Sequence, residues 1–248
     1  MRRNEEGYSL PLHAPVYGPR RATDHEAIFH RAIWIRFEGN AEFSKWLVPE
    51  PFEYVSNRMV IMLAERRQPP ALGSGFLSTI FIPVKHNGTL GSYVPIGFAS
   101  NDELIIGYRE LYAFGVVGCD ETTLEYNGNT ISCNLKRYQE PIVRASVFLE
   151  KRSTEDFLGD VLGHGTFQIQ KIPSLDEGKD IRRIISPHYR RGPNTEVREQ
   201  WVGRASLEFP SNVWQLQKLN PVNVLDGFYR EMTINYKGVE GKVLAEES

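Results

Sequence analysis

Two adjacent pairs hold much of this chain's capacity for chemistry: His30 with Arg31, and Arg109 with Glu110. Tyr112, Cys119 and Asp120 follow the second pair closely. An imidazole whose ordinary pKa lies near neutrality can give or take a proton, so His30 is a candidate general acid or base. The structural alternative is a histidine satisfied by its neighbours on a strand. Arg31 and Arg109 each carry the planar fork that grips a carboxylate through two parallel hydrogen bonds. Either could equally serve a structural salt bridge. Glu110 needs a raised pKa to shuttle protons, and an adjacent arginine opposes that. Cys119 fits a buried, inert thiol better than a nucleophile.

Other chemistries lack their spacing. His13, His25, His30, His86, His164 and His188 are scattered, with no HExxH, and the two cysteines, Cys119 and Cys133, form no CxxC, so no metal site is expected. There is no GxGxxG and no Walker sequence, so no cofactor is implied, and Gly163-His164-Gly165 reads as a loop. A net charge of −2 gives no electrostatic footprint for nucleic acid or for an anionic membrane. Arginine pairs at Arg2-Arg3, Arg20-Arg21, Arg66-Arg67, Arg182-Arg183 and Arg190-Arg191 are far apart and read as solvated loops or exposed faces. No stretch approaches the roughly 18 apolar residues of a membrane span. The N-terminal residues lack the apolar core of a signal peptide. Two cysteines make no disulfide framework and suit a reducing compartment, so a cytoplasmic location is expected.

The elements that must position these residues read mainly as strands. The chain has 248 residues, 41% hydrophobic and 24% charged, which suits one β-rich domain spanning 1–248. Residues 27–37 are rich in Ile, Phe and Trp. Asn40 then caps a short helix running to Leu47, stopped by Pro49. Strands are expected over 58–65 and 76–85, the second turning at His86-Asn87-Gly88. Tyr126-Asn127-Gly128-Asn129 is another hairpin signal within 122–138. Further strands are expected over 142–149, 167–172, 205–209 and 228–236, and 102–112 reads as helical around the Arg-Glu pair. The class is α+β, mostly β: a large antiparallel assembly, barrel or sandwich, with a few peripheral helices.

Residues 107–118, GYRELYAFGVVG, resemble the active-site segment of the acetoacetate decarboxylase family, in which a Gly…Arg-Glu-Leu element leads through an aromatic-Pro pair to two lysines. The resemblance extends along most of the chain. Val48-Pro49-Glu50-Pro51-Phe52-Glu53 resembles an early turn of the family. Ile82-Pro83-Val84, Asn87-Gly88 and Gly91-Ser92-Tyr93 resemble its central hairpin. Ile172-Pro173, Trp201-Val202-Gly203, Leu207 and Pro221-Val222 match its C-terminal half. It implies a barrel or cone with an internal site, and commonly a homo-oligomer, to which Trp201 and Trp214 are expected to contribute exposed apolar surface.

The resemblance also implies a loss. Phe114-Gly115 stands at the aromatic-Pro pair and Val116-Val117 at the lysines. The first family lysine forms a Schiff base with a ketone, and the second lowers its pKa. At constant offset the family's pocket arginine falls on His30, beside Arg31, and its two glutamates fall on Met62 and Leu77; Glu65, three residues on, belongs to the opposite face. Lys85 and Lys136 are expected to be solvated rather than relocated nucleophiles. His30 and Glu110 are thus the candidate catalytic residues. Arg31, Arg109, Tyr112, Phe114, Val116, Met62 and Leu77 are candidates for binding a small keto or enol compound. The favoured reading is an acid–base lyase, cyclase, isomerase or imine-free decarboxylase, of a kind suited to secondary metabolism. The alternative is a non-catalytic binding or scaffold protein with a similar cavity.

Overall fold

A computed structural model of the chain describes residues 26–67, 74–154, 165–172, 175, 180–191, 196–211 and 215–247. The expectations that fall on Trp214, Pro173, Gly163-His164 and the N-terminal arginine pairs lie outside these residues.

The centre of the fold is a ladder of long antiparallel strands. β1 (Glu26–Glu38) pairs with β3 (Arg58–Arg67), β3 with β4 (Gly75–His86), and β4 with β5 (Thr89–Ala99). Between β1 and β3 lie a short helix, α1 (Ala41–Leu47), and a two-residue strand, β2 (Glu53–Tyr54), which pairs with β4. The Asn40 side chain accepts a hydrogen bond from the Phe43 amide at 2.9 Å, the cap expected from the sequence. At the β4–β5 turn both Asn87 and Gly88 have positive φ, 50° and 76°, the geometry of the tight Asn-Gly hairpin. After β5 come α2 (Asp102–Ile106) and one π-helical turn (Gly107–Leu111), then β6 (Val116–Gly118), which lies parallel to β5.

The second half of the chain adds a small sheet and closes the large one's other side. β7 (Glu125–Asn127), β8 (Thr130–Arg137), β9 (Glu140–Phe148) and β14 (Ala205–Glu208) form a four-stranded sheet in the order β14-β9-β8-β7. β10 (Lys151–Arg152), β11 (Gln168–Ile172), β12 (Ile181–Arg191), β13 (Glu196–Gly203) and β15 (Asn223–Glu247) join the large sheet, which counts eleven strands. Its main path runs β10-β13-β15-β1-β3-β4-β5-β6. β11 pairs with β12 and β12 with β15, and Ser92 of β5 bridges Thr166 just before β11 in parallel, so the far side of the sheet curls back toward β5, in keeping with the mostly β, barrel-like assembly expected. No helix among them is long and apolar enough to cross a membrane.

β15 extends well beyond the strand expected over 228–236. The polar, glycine-containing residues 237–242 have no strand-like pattern, yet they pair with β12, while the earlier part of β15 sits between β1 and β13. Long-range pairing overrides weak local propensity there. On β12 the Arg182-Arg183 pair lies on an exposed face, where Arg183 pairs with Glu246 at 2.5 Å and Arg182 donates to the Glu50 carbonyl. Trp201, expected to be exposed, is half-buried, with Arg152 over its ring at 5.0 Å and its indole N–H donating to Glu199 at 2.6 Å.

The large sheet is covered on both faces, so β3 reads as a continuous apolar run rather than an alternation. One face, with Ile33, Ile35, Ile61 and Leu63, packs on Ile131, Leu135 and Val147 of the small sheet. Each such side chain contributes roughly 1.5–3 kcal/mol on burial. The other face, with Ala32, Met62, Ala64 and Leu77, is roofed by the segment that follows β5.

Candidate functional site

Register places the site residues on that second face. One row of cross-strand partners crosses the sheet: Phe228 on β15, Trp34 on β1, Met62 on β3, Thr79 on β4, Gly97 on β5 and Val116 on β6. Cross-strand partners project to the same face, and residues two apart repeat it. The next row holds Arg230, Ala32, Ala64, Leu77 and Ala99, and the one beyond holds Met232, His30, Arg66 and Gly75. Trp34 and Phe228 stack with centroids 5.9 Å apart and planes 2° from parallel.

The roof is aromatic. Tyr108, in the π-helical turn, and Tyr112 and Phe114 just after it form a triangle with ring centroids 5.2–5.7 Å apart. All three belong to the same buried cluster as Met62, Leu77 and Val116. The turn tightens because the Phe114 amide donates to the Tyr108 carbonyl at 3.0 Å and the Ala113 amide to Arg109 at 3.1 Å. Five of the sequence-derived positions, Met62, Leu77, Tyr112, Phe114 and Val116, are therefore brought together. Val116 and Leu77 are each 1% exposed, so the group is closed over.

The polar candidates are distributed differently. His30 shares the face, but four residues along β1 from Trp34 put it about 13 Å from the Val116 row. Its register partner is Arg66. Arg66 corrects the reading of Arg66-Arg67 as a solvated pair: alternation sends Arg67 out and buries Arg66 at 7% exposure, where its guanidinium donates to the Tyr108 hydroxyl at 2.8 Å. Arg66 and Tyr108 are functional candidates that sequence reasoning missed. The available signal was parity, because Arg66 continues the series Met62, Ala64 on an apolar strand.

Arg31 is corrected in the opposite sense, because adjacent strand residues face opposite ways. It stands on the small-sheet side, paired with Glu65 at 2.5 Å and lying 5.0 Å from the Tyr126 ring centre. Glu65 is on that side too, as its spacing from Met62 implied, and also accepts the Leu124 amide. Burial works to lower the Arg31 pKa, but the hydrogen bond and charge of Glu65 outweigh it and raise it. Tyr126 and Tyr229 share a 2.5 Å hydroxyl contact, and Tyr229 donates to Glu231 at 3.0 Å. Burial, then Tyr126, then Glu231 push the Tyr229 pKa up.

Arg109 is exposed on the π-helical turn, and among the described residues it forms no salt bridge with Glu110. Glu110 is half-buried; its carbonyl accepts from the Gln170 side chain at 2.9 Å, while its Oε2 is buried and makes no hydrogen bond. Burial and, less strongly, Asp120 push the Cys119 thiol up to about 12, against the opposing pull of Arg137. Cys133 is raised as well, first by burial. Lys85 is exposed and Lys136 half-buried in the small sheet; among the described residues no lysine is buried. The arrangement offers a cation, an imidazole and a phenol at one end of an apolar, aromatic-roofed face, with Thr79 and Val116 in its central row.

The family model for acetoacetate decarboxylase (ADC) matches residues 9–246. The chain is 23% identical over 253 residues to acetoacetate decarboxylase 3 of Mesorhizobium japonicum, covering 98% of this chain and 94% of that protein. Its fold is similar to a solved acetoacetate decarboxylase with a TM-score of 0.81 at 19% identity, covering 96% of this chain and 95% of that one. It is also similar to the enduracididine biosynthesis enzyme MppR, solved with the condensation product of pyruvate and imidazole 4-carboxaldehyde, with a TM-score of 0.74 at 14% identity and 98% of both chains covered. With the family model matching nearly the whole chain, this chain belongs to the acetoacetate decarboxylase family.

Proposed function

We propose that this chain is a decarboxylase-like enzyme without Schiff-base chemistry, acting by acid–base catalysis on a small keto or enol compound. The observation that carries the reading is Val116. It lies beneath Tyr108, Tyr112 and Phe114, in one cluster with Met62 and Leu77, and supplies neither nucleophile nor proton. Among the described residues no other lysine is buried to replace it. By analogy with MppR, the ligand is a small keto acid.

In this reading Arg66 takes the ligand's carboxylate, held in place by Tyr108, and His30 beside it moves the proton. Glu110 is the second candidate for proton transfer. Arg109 and Arg31 stand outside this arrangement. Entry requires the aromatic roof to lift, since Leu77 and Val116 are closed over. The homo-oligomer expected from the resemblance belongs to the same proposal.

A binding protein without catalysis is the second reading, favoured by the apolar character of the closed row around Val116. Incubating the protein with pyruvate in deuterium oxide and following the methyl signal by NMR separates the two. Catalysed exchange of the methyl protons supports the enzyme. Saturable binding without exchange supports the binding protein.

A further inference from the structure

Thr79 occupies the middle of the row that ends in Val116, and its surroundings do not explain its hydroxyl. Alternation along β4 aligns it with Leu77 and Phe81, both in the roofed cluster. Its register partners are Met62 on one side and Gly97 on the other, and Gly97 in turn partners Val116. A Cβ added to Gly97 would lie 2.9 Å from Val116 Cγ2 and 3.2 Å from Thr79 Cγ2, so methyl groups of the two side chains meet over the glycine and the Thr79 hydroxyl is a separate arm of its side chain. Thr79 is 1% exposed, and its Oγ1 is buried with no hydrogen-bond partner. Leaving such a hydroxyl unpaired carries a desolvation cost that valine would avoid. The group both donates and accepts, and it belongs to the row that ends in Val116.

Resting on the reading above, we propose that Thr79 is a ligand-contacting, specificity-determining residue, whose hydroxyl donates to the keto or enolate oxygen of a small keto acid lying along the face between Thr79 and the guanidinium of Arg66. A donor fixed in an apolar row is most effective where charge develops on that oxygen. It would take over the orientation that imine formation otherwise provides, with no covalent bond made.

The test compares the wild-type chain with Thr79→Val and Thr79→Ser, using pyruvate as probe and propionate as the analogue lacking the keto oxygen. Calorimetric titration should show Thr79→Val binding pyruvate about tenfold or more weakly, the worth of one hydrogen bond to a charged or polarised oxygen. Its preference for pyruvate over propionate should fall with it. Thr79→Ser should retain both. The thermal midpoint of Thr79→Val should hold or rise, because an unpaired hydroxyl has been removed. Wild-type pyruvate affinity in a folded Thr79→Val chain would overturn the inference, as would a lowered midpoint with unchanged affinity, which marks a packing or water-binding role. Failure of the wild-type chain to bind pyruvate would overturn the functional reading itself, and this inference with it.

Discussion

Arg31 and Glu65 face each other across β1 and β3 at 2.5 Å, on the side of the sheet away from Met62 and Val116. The pair sits against the small sheet, where Glu65 also accepts the Leu124 amide. It thus ties the two sheets together in a region where an unpaired charge would be expensive. Glu65→Ala should cost about 3–5 kcal/mol of stability, since it strands the arginine and an amide together. Urea unfolding measures this, and pyruvate affinity of the folded fraction should be unchanged.

The backbone before β6 leaves no room for the proline that the family resemblance would put beside Phe114. A Cβ at Gly115 would lie 2.0 Å from the Pro95 carbonyl oxygen, and the Gly115 amide donates to Val94 at 3.3 Å. Proline in that position would both clash and lose the donor. Gly115→Pro, which restores the aromatic-Pro pair, should therefore destabilise the chain by about 3 kcal/mol or more in denaturant unfolding. Unchanged stability would show that β5 and β6 can reseat.

The two thiols should be inert. Cys119 titrates near 12 in the folded chain against an ordinary 9.0, so it stays protonated where the unfolded chain ionises. A raised folded pKa gives stability that is complete below pH 9 and lost as pH rises from 9 toward 12. Iodoacetamide at pH 8 should leave the native protein unlabelled by intact mass, and Cys119→Ala should flatten the decline in unfolding free energy above pH 9. Rapid native labelling would contradict the burial of both groups.

Much of this arrangement was legible in the residues. The Asn40 cap, the Asn87-Gly88 turn and the strands of β1, β3 and β4 have strong local signals, and their packing agrees with them. Parity alone separates Glu65 from Met62. The same rule applied to β1 separates Arg31 from His30, and applied to β3 separates Arg66 from Arg67, although charge pairs read by composition look equally solvated. Tyr108 carries no signal of its own, because its role follows from a π-helical turn that swings it over β3. The continuation of the large sheet was not legible either, since the pairing of β15 with β12 joins residues whose separation in the chain hides their relation.

If proton transfer at this face is the chemistry, His30→Ala or Glu110→Gln should slow deuterium exchange into pyruvate about 100-fold or more, the scale of one general acid–base contribution. Full activity in both variants would remove these two residues from the mechanism.

The direct test of an imine-free site is reductive trapping. The wild-type chain is incubated with acetoacetate or pyruvate and borohydride, and its intact mass is measured. No covalent addition is the predicted result, because an imine needs an unprotonated amine at the site and Val116 has none. Val116→Lys should regain little trapping, lacking a cationic neighbour at Val117 to lower its pKa. A reduced adduct on the unmodified chain, mapped to Lys85, Lys136 or any other lysine, would contradict the proposal.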